Sequence, residues 1–282
     1  MNIPRHWARG EASEKDPATG ELHEASAYGW SDVSIADATR SAIERAQRVA
    51  QWLRNDRAED LDRYEYGGNR PLREMVVREF GSDASRVAAS TRNQSGALVL
   101  NTANVAFIDV DVPKRGLVAG LMDRLRRRTG VAEGAALGRI QAASEVHRTL
   151  GIRIYRTAGG FRCLLTSGLL DPVATATAEL LAAFGCDPRY TALCRVQRSF
   201  RARLTPKPWR CGLQRPPAQF PFANADAEAR HAAWVREYEA ISARHAVCEL
   251  VETRGPAYVE PTVAALIREH DAATVSHGKP LA

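Results

Sequence analysis

Long apolar runs are missing from this 282-residue chain: none approaches the roughly 18 residues that a membrane span requires, so a transmembrane helix is not expected. Cysteine is sparse and unpaired. The five thiols, at 163, 186, 194, 211 and 248, form no CxxC, and their odd number argues against a secreted disulfide framework. Cys248 and His245 have no second pair at zinc spacing, so no structural zinc is expected. There is no Walker A loop, no GxSxG, no HExxH and no dinucleotide-binding glycine fingerprint. The histidines lie outside the motifs described below, which leaves Ser/His/Asp and Cys/His catalysis without support; His147 and His270 read as surface or packing residues. The opening stretch MNIPRHWARGEASEKD lacks the apolar core of a secretory signal, so a cytoplasmic location is expected.

Acid is also absent where it would be most noticed. From Pro188 to Ala225 there is no Asp or Glu, while eight Lys and Arg residues in that span exceed the net charge of +6 of the whole chain. Such a stripe is the usual footprint of phosphate binding, and a solvated basic face, or arginines paired with acids elsewhere, is the alternative.

The pattern along the chain predicts an α+β fold. Residues 1–30 read as a loop or short hairpin, and 34–54 as an amphipathic helix opened by Ser34 with Asp37 three residues on. RPLREMVVREF, 70–80, reads as a second helix with Pro71 in its first turn after Gly67 and Gly68. Two or three antiparallel strands follow, ending in NVAFIDVDVP, and then helices over 115–130 and 133–150. A Gly159-Gly160 hairpin, a helix over 172–185 and a strand at Phe200 to Leu204 complete a βαββαβ order. That order suggests a ferredoxin-like or RNA-recognition-type sheet with helices on one face and the other free for a ligand. Beyond the proline-rich QRPPAQFPFAN, helices from Ala225 and Pro261 form a C-terminal helical cap. The expected organisation is an N-terminal region 1–90, a core 91–215 and a C-terminal region 216–282, forming one compact unit.

Asp109 and Asp111 are two apart in a strand, so both carboxylates project from one face, about 7 Å apart along the backbone. Two ionised acids side by side resist burial unless something positive joins them, either a metal ion or arginines. Oxygen-only ligands favour Mg2+ or Mn2+, which binds one or two carboxylates together with substrate phosphate. In YRTAGGFRCLLTS, Arg156, Thr157 and Arg162 flank a glycine turn that lets backbone approach phosphate closely. In CRVQRSFRARLTPKPWRCG, Arg201 and Arg203 share a strand face, and Lys207 and Trp209 continue into a proline-stiffened segment. With Arg195, Arg198 and Arg210, this interleaving suits a nucleic-acid backbone and its bases, although Phe200 and Trp209 could equally be core residues.

AFIDVDVP followed by YRTAGGFRCLLTS resembles the catalytic core of the archaeo-eukaryotic primase superfamily, the primase-polymerases, over about residues 97–205. The resemblance implies that Asp109 and Asp111 are metal ligands, and that Arg162 stands where the family has a phosphate-binding histidine. The sequence departs from the family at its third acid, where Arg201 and Arg203 sit; Glu249 or Asp171 would have to replace it. The basic block is also similar to one in bacterial proteins, a likeness that supplies no activity. The expectation is a metal-dependent nucleotidyltransferase acting on nucleotides or nucleic acid (DNA or RNA). The alternatives are a non-catalytic nucleic-acid-binding protein on the same scaffold and a metal-dependent nuclease.

Overall fold

The computed structural model describes residues 1–54, 70–82, 85–112 and 129–282. Among these residues the fold is α+β, with six α-helices and three antiparallel sheets. No helix among them is long and apolar enough to cross a membrane. Residues 115–128 of the expected helix over 115–130, and the turn at Gly67 and Gly68, lie outside the described set. The chain divides into two compact units, one made of residues 2–76 and 216–234, the other of 77–215 and 235–282.

In the first unit, strands β1 (His6–Lys15) and β2 (Leu22–Ser31) form an antiparallel hairpin against helix α1 (Ile35–Arg54). The Ser34 hydroxyl accepts the Asp37 amide at 3.1 Å, which caps the helix start. Ala38, Ala42, Ala46 and Ala50 recur every four residues and are fully buried. Glycine in a strand usually weakens it, but here Gly10 and Gly29 let the hairpin approach the alanine stripe. A β-carbon on Gly29 would lie 2.2 Å from the Ala42 amide nitrogen.

The second unit carries the two larger sheets. One consists of β3 (Met75–Ser82), β4 (Ser85–Arg92), β5 (Leu98–Thr102) and β9 (Phe200–Arg203), in that spatial order. The other has the order β10 (Cys248–Arg254), β7 (Ile152–Thr157), β8 (Gly160–Leu165), β6 (Phe107–Asp111). Helices α2 (Thr129–Val146), α3 (Thr175–Ala183), α4 (Pro188–Gln197), the later part of α5 (Ala225–Ser242) and α6 (Pro261–Thr274) complete it. The apolar core runs through β6, β7 and β8 and includes Phe107, Ile108, Ile154, Phe161 and Phe200.

Several elements differ from expectation. The helix expected over 70–80 is strand β3 from Met75, because Met75-Val76-Val77 puts β-branched residues where a neighbouring strand can pair with them. Helix α4 precedes β9; it opens with Asp187, whose carboxylate accepts the Arg189 amide, and with Pro188 at its first position. Strand β10 lies within the region expected to be helical. The sheet of β6, β7 and β8 does not take β9 as its fourth strand; the Tyr190 hydroxyl bridges β6 and β9. It lies 3.0 Å from the carbonyls of both Phe107 and Arg201 and accepts the Arg201 amide at 3.1 Å. Strand β9 pairs with β5 instead, and β10 occupies the far edge.

Neither face of the β6–β8–β7–β10 sheet is wholly free. On one, Arg156 of β7 pairs with Glu133 of α2 at 2.9 Å, and Gln141 of α2 donates to Glu252 of β10. On the other, His270 and Asp271 of α6 meet Phe107, Tyr155 and Arg153.

Candidate functional site

Residues paired across antiparallel strands share a sheet face. Asp109 is opposite Arg162 and Asp111 is opposite Gly160, with Tyr155 and Thr157 next in the same rows. The two acids therefore share a face with each other and with Arg162. Gly160 has φ +150°, and a β-carbon there would lie 2.1 Å from the Val110 carbonyl oxygen, so this position admits only glycine beside the Asp strand. The neighbouring Gly159 faces both the Arg210 guanidinium and the Asp111 carboxylate: a β-carbon there would lie 3.3 Å from Arg210 Nη2 and 3.8 Å from Asp111 Oδ1.

Asp109 is part-buried. Burial raises its carboxyl above the usual carboxylate range, against the opposing charges of Arg162 and Arg203, while Asp111 and Asp187 push it further up. The cations respond in the opposite sense. Arg203 is pushed down to about 10, first by burial and then by Arg162 and Arg210, although Asp109 counters this. Lys207 is lowered by burial and by Arg203 and Arg210, with Asp111 and Asp109 opposing. Arg162, Arg203, Lys207 and Arg210 thus gather around Asp109 and Asp111, where Arg203 and Lys207 are disfavoured by burial and by repulsion from their cationic neighbours. An anion placed among them would relieve that repulsion.

Arg162 is 5% exposed and is held from behind. Its Nη1 donates to the Arg203 carbonyl at 2.8 Å and to His270 Nε2 at 3.2 Å. A guanidinium can only donate, so His270 Nε2 accepts and its Nδ1 carries the proton, which goes to Asp271 Oδ1 at 2.9 Å. Asp271 also accepts Tyr155 Oη and Arg153 Nη2, each at 2.7 Å. Burial pushes His270 down to about 4, and Arg162 adds to that, which matches its neutral, accepting role. Neither His270 nor Asp271 is among the candidates read from the sequence. The available signal was the spacing of Val263, Leu266, His270 and Thr274, which puts the imidazole on the buried stripe of α6. The charge of Asp187 beside Asp109 was likewise missed; its signal was the Asp-Pro helix start.

The other candidates are distributed as follows. Arg156 faces the opposite side of the sheet, toward Glu133 of α2. The Thr157 hydroxyl closes the hairpin turn, accepting the Gly159 amide and donating to the Gly160 carbonyl, each at 3.2 Å. Arg201 Nη1 donates to the buried Asn101 at 2.6 Å, within the other sheet. Arg195 lies in the last turn of α4, and Arg198 caps that helix in the left-handed region with φ 50°. Glu249 is opposite Arg156 on β10, and Asp171 turns to accept the Val173 amide, so the structure brings neither to the acid pair. Asp109, Asp111, Arg162, Arg203, Lys207 and Arg210 are the candidates that the fold assembles.

No family model, curated protein or solved structure matches this chain. Among the described residues, no three His, Cys, Asp or Glu side chains gather as a metal-holding group. Two carboxylates fit Mg2+ or Mn2+ only where ligand phosphate oxygens share the coordination, which is the way Mg2+ is commonly held. The neighbouring thiols offer no reactive alternative: burial raises Cys163, lifts Cys186 to about 11 and lifts Cys194 to about 12.

Proposed function

We propose that this protein binds the phosphates of a nucleotide or nucleic acid at the Asp109, Asp111, Arg162, Arg203, Lys207 and Arg210 cluster, and that it acts there as a metal-dependent nucleotidyltransferase of primase-polymerase type. The observation that carries the phosphate half of this reading is the crowding of four cations around two same-face acids, with Arg203 and Lys207 lowered first by burial and then by neighbouring cations. Arg203, Lys207 and Arg210 grip phosphate oxygens, Arg203 and Arg210 by their two-pronged guanidinium groups. Arg162, whose Nη1 is committed to the Arg203 carbonyl and to His270, acts through its charge. Asp109 and Asp111 would hold the divalent cation together with ligand phosphate oxygens, and a cation there would supply charge stabilisation for the attacking hydroxyl and the leaving pyrophosphate.

Non-catalytic nucleic-acid binding is the second reading. The raised carboxyl of Asp109 favours it, since an acid held toward its neutral form is a poorer metal ligand.

Incubation with radiolabelled nucleoside triphosphates, Mn2+ and a primed or unprimed strand separates the two. Transferase action gives incorporation into polymer that Asp109→Asn and Asp111→Asn reduce by at least about 100-fold, in line with removal of a group acting in the transition state. Circular dichroism of Asp109→Asn and Asp111→Asn checks that each variant is folded before its activity is compared with that of the wild type. Strand binding without incorporation by the wild type, unchanged in both variants, would leave the binding reading alone. Degradation of the strand would indicate a nuclease.

A further inference from the structure

Trp209 is 50% exposed although the residue before it, Pro208, is buried. The turn that presents it is rigid. Pro206 and Pro208 fix the backbone on either side of Lys207, and Pro208–Arg210 forms a single 3-10 turn. The Arg210 amide donates to the Lys207 carbonyl, and the Cys211 and Leu213 amides both donate to the Pro208 carbonyl. Tyr238 of α5 anchors the approach, its hydroxyl lying 2.8 Å from Thr205 Oγ1 and 2.5 Å from the Pro206 carbonyl. Two cations lie over the indole ring, Lys207 Nζ 5.5 Å from its centroid and the Arg215 guanidinium carbon 5.9 Å, and the ring is still half exposed, so a base stacking on it would have a cation beside it or in exchange with it. One short turn thus directs Lys207 and Arg210 toward the acid and arginine cluster while offering a large aromatic ring to solvent.

We propose that Trp209 is a stacking platform for an unpaired base of a single-stranded nucleic acid whose adjacent phosphates lie against Lys207, Arg210 and Arg215. This rests on the phosphate reading of the neighbouring cluster and specifies its ligand as a strand rather than a free nucleotide. A ring fixed on a proline-stiffened turn can stack on a base only where that base is out of a duplex, and cations held at the ring can turn to the phosphates next to that base. A duplex keeps its bases stacked on one another and offers the ring only sugar and phosphate.

The test is equilibrium binding by fluorescence anisotropy with labelled strands of about 12 nucleotides. The arms are a base-bearing single strand, an abasic strand of equal length and charge, and a duplex; DNA and RNA versions identify the preferred sugar. Inorganic pyrophosphate serves as competitor. The wild type should bind the base-bearing strand more tightly than the abasic strand or the duplex. Trp209→Ala should lose about 5- to 100-fold for the base-bearing strand alone, and Trp209→Phe should retain most of the affinity. Equal affinity for base-bearing and abasic strands, or an equal loss on both in Trp209→Ala, would overturn the stacking role. If pyrophosphate still competes in that case, the phosphate reading survives; if neither strands nor pyrophosphate bind, both fall together.

Discussion

At the scale of single residues, Arg162 is the cation of the site that the fold holds most firmly. Its Nη1 is held by a neutral imidazole and a backbone carbonyl, neither of which neutralises it, so its charge faces Asp109 across the strand pair while its position is fixed. His270 faces Arg162, Arg153, Asp271 and Tyr155, and its folded value of about 4 is below the 6.5 of an unconstrained imidazole. Between those values the unfolded chain binds a proton that the folded chain refuses, so stability falls as pH drops from 6.5 toward 4. The loss attributable to this residue is at most about 3 kcal/mol. Asp271 is lowered from 3.8, so its own contribution is lost only below this window. Urea unfolding between pH 4 and 7 should show the slope in the wild type and a shallower one in His270→Gln; identical slopes would remove His270 from the account. The Asp pair was legible because a two-residue repeat fixes strand faces whatever the sheet order. The Arg162–His270 contact joins residues 108 positions apart, and no local pattern encodes it.

At the scale of elements, glycines decide how closely backbones approach. A side chain on Gly29 would meet the backbone of α1, and one on Gly160 the backbone of β6, whereas Gly134 in α2 has nothing within 4 Å of such a β-carbon. Gly29→Ala and Gly160→Ala should each cost about 2 kcal/mol or more. Gly134→Ala should instead stabilise by about 0.5–1 kcal/mol, since alanine is the better helix former. Thermal unfolding of the three variants checks the contrast, and a Gly29→Ala protein as stable as the wild type would contradict the close packing on α1. The strands on either side of Gly159 and Gly160 were legible from turn chemistry, as were α1 and α3 from helical spacing. Strand β3 was misread because a plausible helix start at Pro71 competed with a β-branched run, and pairing in a sheet outweighed local preference. The place of β9 was not legible at all: its pairing with β5 joins residues about 100 positions apart, and the Tyr190 hydroxyl that bridges it to β6 comes from a helix that had not been anticipated.

At the scale of the molecule, charge is unevenly spread: eight cations and no acid lie between Pro188 and Ala225 in a chain of net charge +6. The sequence made this excess plain but not its division. Arg201 donates to Asn101 in the other sheet and Arg198 lies at the end of α4, while Arg203, Lys207 and Arg210 gather by the Asp pair. The central claim is that these cations, together with the two acids, form one phosphate site. Its most direct test is calorimetric titration of inorganic pyrophosphate, with and without Mn2+, into the wild type, Lys207→Gln, Arg210→Gln and Asp111→Asn. The account predicts binding by the wild type that weakens with added salt and drops about tenfold or more in each cation variant, as loss of a charge-assisted contact implies. It also predicts that the strengthening by Mn2+ disappears in Asp111→Asn. Absence of binding, or an affinity that none of the three substitutions changes, would contradict it.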